Sequence, residues 1–179
     1  MGGIYFYNDW RASTPWGDTR PDYGRPEVRR YILDNARMWL DDYHVDGLRF
    51  DMTPYIRSVH GSGYDLPDGW NLMREVNSTL REQRPGLLTI AEDMQGDARI
   101  TGWDDDGAGF SSQWDGCFVH PVREAIEAYS DADRSVAEVA EACSDRLRPR
   151  RLPSCHLHRV ARRGGQREVT RRPRGQPVR

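Results

Sequence analysis

The chain has 179 residues, a net charge of −2, and 37% hydrophobic and 10% aromatic residues, a composition typical of a folded globular protein. No stretch is long and apolar enough to cross a membrane, and the first residues lack the basic and apolar regions of a signal peptide. We therefore predict a cytoplasmic protein without a membrane partner. Its cysteines, Cys117, Cys143 and Cys155, have neither the pattern of a disulfide framework nor the spacing of metal ligands.

Positive charge is concentrated at one end of the chain. All 26 basic residues are Arg, and 11 of them lie in residues 147–179 beside the single acid Glu168. Residues 1–146 therefore carry 15 Arg and 27 acids. The contrast predicts two regions, a folded acidic body over residues 1–146 and an Arg-rich tail over residues 147–179. Basic tails commonly bind nucleic acid or a membrane surface, although nothing in the acidic body supports a nucleic-acid partner.

Two helices and a short strand are predicted in the first half of the body. Ile4 to Tyr7 has the pattern of a short strand. Pro26 suits the first turn of a helix, and an apolar face follows it at helical spacing. That face consists of Val28, Tyr31, Ile32, Ala36, Trp39, Leu40 and Tyr43. Asp68 is predicted to cap a second helix that runs through Gln83. The second helix directs four apolar residues inward, namely Leu72, Met73, Val76 and Leu80.

Two short apolar runs, one between these helices and one after the second, end in carboxylates. In the first run, Arg49 and Asp51 are two residues apart, so on a strand they share a face. A neighbouring Arg keeps a carboxylate ionised at neutral pH, which suits a nucleophile. The second run, Leu87 to Ala91, is followed by Glu92. The strand, helix, strand order predicts parallel strands with both acids at the carboxyl edge of the sheet, where parallel α/β proteins carry their catalytic residues.

Further elements are predicted in the second half of the body. Gln113 to Val119 is predicted to form a strand and turn, Pro121 to begin a helix that ends near Tyr129, and Ser135 to Arg146 to form a last amphipathic helix. The three Asp residues at 104–106 lack the alternating spacing and the closing Glu of a calcium-binding loop. A solvated acidic loop is therefore predicted there.

Two segments of this pattern resemble a known family. Gly47 to Asp51, with the sequence GLRFD, resembles the nucleophile strand of the α-amylase family, glycoside hydrolase family 13. Ile90 to Asp93, with the sequence IAED, resembles the general-acid strand of the same family. The run from Trp16 to Gly47 is most similar to α-1,4-glucan branching enzymes. The resemblance covers roughly residues 4–146 and implies the central part of a (β/α)8 TIM barrel, since a complete barrel takes about 250 residues.

The resemblance also implies a reaction and roles for particular residues. The reaction is retaining glycosyl transfer on α-1,4-glucans such as glycogen or starch, with no cofactor and no metal. Asp51 would be the nucleophile, Glu92 the general acid and later the base, and Arg49 the residue that orients and charges Asp51. Trp16 and Trp114 are candidate sugar-stacking residues, although packing in the core or anchoring a loop explains either aromatic equally well. For Arg49 and Asp51 taken alone, a satisfied internal ion pair is the competing interpretation.

Alternatives to a branching enzyme remain open from the sequence. Branching and hydrolysis differ in whether a sugar 6-hydroxyl or water resolves the glycosyl-enzyme intermediate, and the similarity of the run before Gly47 favours branching. An α-amylase-type hydrolase is the nearest alternative. A pseudoenzyme that only binds glucan and a non-enzymatic protein that binds nucleic acid through its basic tail are the other two.

The Arg-rich tail has a second interpretation as the product of a shifted reading frame. One permitted codon for each residue from Leu147, read one base later, spells YGHDAFHRVIYTESHDEVANGK. This string resembles the next segment of the α-amylase family, in which a strand ends in the His-Asp pair that supplies the third catalytic carboxylate. That Asp would then be encoded across the codons of Arg162 and Arg163. We therefore expect a disordered, out-of-frame tail, and little or no activity in a polypeptide that lacks this carboxylate and the first barrel strands.

Overall fold

The computed structural model describes residues 3–104 and 106–144 of the chain. The helices within those ranges are α1 (Pro26–Asp41), α2 (Pro54–Arg57), α3 (Pro67–Gln83), α4 (Ala98–Thr101), α5 (Gly116–Glu127) and α6 (Val136–Ser144). Two single 3-10 turns lie at Trp10–Ala12 and Asp131–Asp133. The strands are β1 (Ser13–Thr14), β2 (Gly17–Asp18), β3 (Gly47–Phe50), β4 (Leu88–Ala91) and β5 (Ser112–Gln113).

Strands β3, β4 and β5 form one parallel sheet in that order. Phe50 of β3 lies opposite Ala91 of β4, and Ala91 lies opposite Gln113 of β5, so the carboxyl ends of the strands share one edge. The connection from β3 to β4 passes through α2 and α3. The parallel α/β arrangement predicted from the sequence is therefore confirmed. β1 and β2 form a separate antiparallel hairpin before α1.

Two clusters of apolar side chains pack the helices against the sheet. The buried members of the first are Tyr7, Ala12, Tyr23, Ala36, Leu40, Leu72, Val76 and Leu80. Those of the second are Met73, Ala91, Ile100, Ala108 and Phe110. All four residues predicted to face inward from α3 are among them. Phe50 and Ile56 contact both clusters, so the end of β3 and helix α2 are held by the whole core.

Helix α1 buries a narrower face than its apolar pattern predicts. Its buried residues are Val28, Ala36 and Leu40. Tyr31 is 69% exposed and Trp39 is 42% exposed, although both belong to the predicted apolar stripe. Periodicity alone therefore overstates how much of α1 the described core covers, because it marks apolar residues and not the partner that covers them.

Helix α3 begins two residues earlier than predicted. Leu66 is at the N-cap position and Pro67 is the first helical residue, so the prediction that Asp68 caps this helix is wrong. Proline suits the first turn because its missing N–H would have no intrahelical partner there. Asp68 lies in the first turn, where the partial positive charge of the helix terminus favours a carboxylate.

Two further boundaries differ from the sequence predictions. Residues 4–7 do not form a strand, and a single antiparallel bridge joins Phe6 to Pro21. Strand β5 ends at Gln113, and the Asp115 side chain accepts the N–H of Cys117 at 2.9 Å to cap α5. Helix α5 therefore starts well before Pro121, which lies inside it. Capping by Asp115 outweighs the turn tendency of the Asp-Gly pair.

Helix α6 falls within the predicted helix from Ser135 to Arg146, whose last two residues lie outside the described residues. The tail over residues 147–179 also lies outside them, so the predictions of disorder and of a shifted frame stay predictions. Across residues 3–104 and 106–144, no helix has the length and apolar character needed to cross a membrane.

Gly69 lets α3 pack directly on α2. A Cβ added at Gly69 would lie 1.8 Å from the carbonyl oxygen of Ile56, a backbone atom that moves only if α2 moves. We expect Gly69→Ala to lower the free energy of unfolding by about 1–3 kcal/mol, measured by urea denaturation of the 179-residue chain. Asn71→Ala, at an exposed position of the same helix, is the control and should change stability by less than about 0.5 kcal/mol. Equal stability of wild type and Gly69→Ala would contradict the close contact.

Candidate active site at the carboxyl edge of the sheet

Two carboxylates follow neighbouring strands at the carboxyl edge of the sheet. Asp51 comes directly after β3, and Glu92 comes directly after β4. The Glu92 N–H donates to the carbonyl oxygen of Phe50 at 3.0 Å, which extends the β3–β4 pairing one step beyond β4. This backbone contact holds Glu92 beside the end of β3.

Arg49 contacts both carboxylates through the two ends of its guanidinium. Nη1 lies 2.8 Å from Oδ1 of Asp51, and Nη2 lies 2.6 Å from Oε2 of Glu92. Arg49 and Asp51 lie on one face, as the two-residue spacing along a strand requires. The shared cation offsets the repulsion between two like charges, so both carboxylates are held close together.

The two carboxylates differ in their surroundings. The Asp51 side chain is 74% exposed, whereas the Glu92 side chain is 17% exposed. The Met52 N–H donates to Oε2 of Glu92 at 2.8 Å, and Oγ1 of Thr53 donates to the Glu92 carbonyl at 3.1 Å. Met52 has a left-handed backbone with φ 43°, a conformation that costs a non-glycine residue about 1–2 kcal/mol. The turn after β3 is therefore shaped around Glu92.

Trp114 lies against Arg49 and thereby joins the charged cluster. The backbone N–H of Trp114 donates to the carbonyl oxygen of Ala91 at 2.9 Å, which positions Trp114 directly after β5. The Arg49 guanidinium carbon lies 4.4 Å from the centre of the Trp114 ring, within the range of a cation–π contact. The structure thus brings Arg49, Asp51, Glu92 and Trp114 together.

Trp16 contacts a different part of the edge. It lies in the turn between β1 and β2, is 65% exposed, and packs edge-to-face on Tyr55 with ring centres 5.3 Å apart. Tyr55 belongs to α2, the helix that follows Met52 and Thr53. Trp16 is therefore connected to the carboxylates through α2, and its large exposed surface is free to stack on a flat ligand.

We expect Trp114→Ala to lower the free energy of unfolding by about 1 kcal/mol, because Arg49 loses its aromatic contact. Trp114→Phe keeps a ring face and should lose less. Urea denaturation of Arg49→Met, Trp114→Ala and the double variant isolates the pairwise contribution. Strictly additive effects of the two substitutions would show that the contact contributes nothing.

The most deeply buried ion pair near the site, that of Arg57 with Asp93, was not predicted from the sequence. Nε of Arg57 lies 3.0 Å from Oδ2 of Asp93, and the two side chains are 1% and 0% exposed. The sequence distance between them carries no signal of pairing. Only the adjacency of Asp93 to Glu92, and an Arg ending the otherwise apolar α2, distinguish these residues in the sequence.

No metal-binding cluster is present among the described residues. Groups of three or more His, Cys, Asp or Glu side chains able to hold an ion do not occur in residues 3–104 and 106–144. In the acidic loop, Asp104 and Asp106 are exposed, and Asp105 lies outside the described residues. Cys117 and Cys143 are free, exposed thiols.

Parallel strands joined by helices define an α/β protein, and the two carboxylates at the carboxyl edge of its sheet form a candidate acid–base site. Residues 19–139 match the family described as Alpha amylase, catalytic domain, and the chain belongs to that family. The matched range contains Arg49, Asp51, Glu92 and Trp114 and excludes Trp16.

Similar curated proteins are glucan branching enzymes. The chain is 35% identical over 130 residues to the 1,4-alpha-glucan branching enzyme GlgB 2 of Streptomyces avermitilis, an alignment that covers 62% of this chain and 21% of that protein. It is 37% identical over 135 residues to the GlgB enzyme of Kitasatospora aureofaciens, covering 65% and 17%. It is 33% identical over 138 residues to that of Corynebacterium glutamicum, covering 68% and 19%. The chain spans about one fifth of the length of these relatives.

Proposed function

We propose that these residues form the central part of the catalytic barrel of a retaining enzyme that acts on α-1,4-glucans, and that the enzyme is a 1,4-α-glucan branching enzyme. The observation that carries the proposal is the Arg49 guanidinium, which contacts Asp51 and Glu92 at the carboxyl edge of the sheet in a member of the α-amylase family. The similarity to proteins described as branching enzymes supports the finer assignment.

The proposed reaction has two displacements. An oxygen of Asp51 attacks the anomeric carbon and forms a glycosyl ester, while Glu92 gives its proton to the departing glucan oxygen. Glu92 then takes the proton from the 6-hydroxyl of an acceptor glucan, whose oxygen attacks the same carbon and releases the Asp51 carboxylate. In a retaining enzyme the two carboxylates are about 5 Å apart, so that one can attack the anomeric carbon while the other protonates the leaving oxygen. A guanidinium that contacts both carboxylates is compatible with this spacing.

The surroundings of the carboxylates support this division of roles. Asp51 is exposed and paired with Arg49, as suits an ionised nucleophile. Glu92 is mostly sheltered, and Arg49 and the Met52 N–H both contact its Oε2, so the transferable proton belongs on Oε1. Once Asp51 is consumed in the ester, Arg49 retains Glu92 as its charged partner. That pairing favours the carboxylate form that the second step requires of a base.

Further features agree with a barrel that holds a glucan. Within the described residues, β3 and β5 each pair with one neighbour only, which leaves two edges for further parallel strands. Trp16 offers an exposed indole next to Tyr55 for stacking on a sugar ring, the role proposed for it here. Trp114 has an indole face turned to Arg49, so a sugar contact by Trp114 would use its remaining surface.

The test compares two proteins, the 179-residue chain and the longest polypeptide that the gene encodes around it. Amylose is the substrate, and new α-1,6 links are counted as the chains released by a debranching enzyme. We expect branching by the longest gene product. We expect little or no turnover by the 179-residue chain, because it spans about a fifth of its relatives and leaves Asp51 open to solvent.

The outcomes separate the alternatives. Reducing ends without new α-1,6 links would replace the branching enzyme by an α-amylase-type hydrolase. Glucan binding that survives Asp51→Ala, with no turnover in either protein, would indicate a binding protein instead. Salt-dependent nucleic-acid binding that disappears when residues 147–179 are deleted would favour a function of the basic tail.

A further inference from the structure

We infer that Arg57 and Asp93 form a buried positioning pair that fixes Glu92 and joins it to the loop over residues 58–66. The inference rests on the proposed function, because it assigns a purpose to the fixed position of Glu92. Arg57 is 1% exposed and Asp93 is 0% exposed, so neither side chain can reach a substrate. Their effect on chemistry must therefore act through other residues.

Each of the three nitrogens of the Arg57 guanidinium donates a hydrogen bond. Nε donates to Oδ2 of Asp93 at 3.0 Å, Nη1 to the carbonyl oxygen of Gly63 at 2.6 Å, and Nη2 to Oε1 of Gln95 at 2.7 Å. Asp93 also accepts the Gln95 N–H on Oδ1 at 3.1 Å, and the Gln95 side chain donates to the carbonyl oxygen of Gly61. One buried cation thus connects the segment after β4 with the loop before α3.

Contacts on both sides connect this pair to Glu92. Asp93 follows Glu92 in the chain, so the Arg57 contact anchors the backbone directly after it. Thr53, which precedes α2, donates to the Glu92 carbonyl, and the Met52 N–H donates to its carboxylate. The segment that carries Arg57 therefore holds Glu92 as well. Separation of Arg57 from Asp93 would free the end of β4 from α2 and draw the Met52 donor away from Glu92.

The loop over residues 58–66 is held both by the pair and by hydrogen bonds of its own. The Val59 N–H donates to Oδ1 of Asp65 at 3.1 Å. Burial raises the pKa of Asp65, but hydrogen bonds from Ser58 and Val59 outweigh it and hold the pKa below its ordinary value. Gly61 has φ 74° and packs so closely on Tyr55 that a Cβ would lie 2.8 Å from that ring. Tyr55 contacts both this loop and Trp16. A ligand that binds to Trp16 would therefore affect the position of Glu92 through Tyr55 and the loop.

A buried ion pair suits this purpose because it tolerates little displacement. Two charges removed from water stay paired only while their geometry is nearly ideal, and loss of one partner leaves the other buried without compensation. Flexible or exposed contacts would not couple the loop to Glu92 in this way.

Hydrogen exchange of the 179-residue chain tests the inference without any requirement for turnover. Asp93→Asn keeps the shape and removes the charge, and Leu72→Ala, in the core on α3, is a control chosen to match the loss of global stability. We expect the Met52 and Gln95 amides of Asp93→Asn to exchange at least about tenfold faster than those of Leu72→Ala. Equal exchange of these amides in the two variants would overturn the inference.

A second variant separates positioning from stability. In Arg57→Met with Asp93→Leu, apolar side chains replace both charges, which commonly recovers stability in buried pairs. We expect global stability to recover while the Met52 amide still exchanges faster than in wild type. Recovery of both the stability and the wild-type exchange rate of Met52 would mean that the pair is structural only.

The effect of the pair on kcat and KM is measured on the longest gene product. We expect Asp93→Asn to lower kcat by about 100-fold with little change in KM, because a misplaced acid affects the chemical step more than binding. Failure of the proposed function would appear as Asp51 variants that keep full turnover, a result on which the exchange data do not depend. A positioning pair in an inactive protein would still show the exchange signature.

Discussion

Replacing Asp51 with Asn is expected to lower the kcat of the longest gene product on amylose by about 10⁴-fold or more, because the amide cannot form the glycosyl ester. Asn keeps the size of the side chain and an oxygen that can accept from Arg49. Since Asp51 is 74% exposed and lies outside the core, the fold should survive the change. The measurement is the rate of new α-1,6 links, alongside a urea denaturation curve that verifies folding.

The matched control for this variant is Asp46→Asn. Asp46 is exposed and lies just before β3, at the opposite edge of the sheet from Asp51, so the substitution makes the same charge change away from the site. Its kcat should stay within about twofold of wild type, a change well under 1 kcal/mol.

Asp51→Ala supplies a second check: azide should attack an activated α-glucosyl substrate from the vacated side and give a β-glucosyl azide. Asp51→Asn with more than a few per cent of wild-type kcat would exclude a covalent role.

Elements with a strong local signal could be predicted from the sequence. Pro26 begins α1 as predicted, and the inward residues of α3 are buried, because proline chemistry and helical periodicity are properties of neighbouring residues. The parallel order of β3 and β4 follows from the helices between them. The start of α5 was predicted less accurately, because the same Asp-Gly pair can form either a turn or the cap of a helix. Only packing decides between the two.

The charged residues of the candidate site and the contact of Arg49 with Asp51 could be predicted, but the contacts between more distant residues could not. The spacing of Arg49 and Asp51 and the strand before Glu92 are local, so sequence was sufficient to predict one shared edge. The pairing of Arg57 with Asp93 depends on how α2 is folded back onto the end of β4, a long-range feature that no local pattern encodes. Trp114 shows the same limit, because an aromatic residue left a sugar contact and a packing role equally open, and no local pattern indicates that its ring lies against Arg49.

Replacing Glu92 with Gln is expected to lower kcat on amylose by about 10³-fold, because the departing glucan oxygen then receives no proton. The substitution keeps the side-chain shape, and Gln can still accept hydrogen bonds from Met52 and Arg49. Glu82→Gln, at an exposed position on α3, makes the same change away from the site and should leave kcat unaltered. Equal losses in the two variants would assign the effect to charge alone.

The roles of Asp51 and Glu92 can be told apart by a substrate whose leaving group needs no proton. On α-glucosyl fluoride, Glu92→Gln should form the glycosyl ester at a rate much closer to wild type, whereas Asp51→Asn should form none. Because Glu92 is also the proposed base for the second displacement, the ester should accumulate and appear as a burst of fluoride followed by slow turnover. A burst in Glu92→Gln and its absence in Asp51→Asn require two different functions for two carboxylates that share one guanidinium. Identical behaviour of both variants on the fluoride would instead mean that Arg49 holds a structural ion pair, since neither carboxylate would then have a separate chemical step to perform.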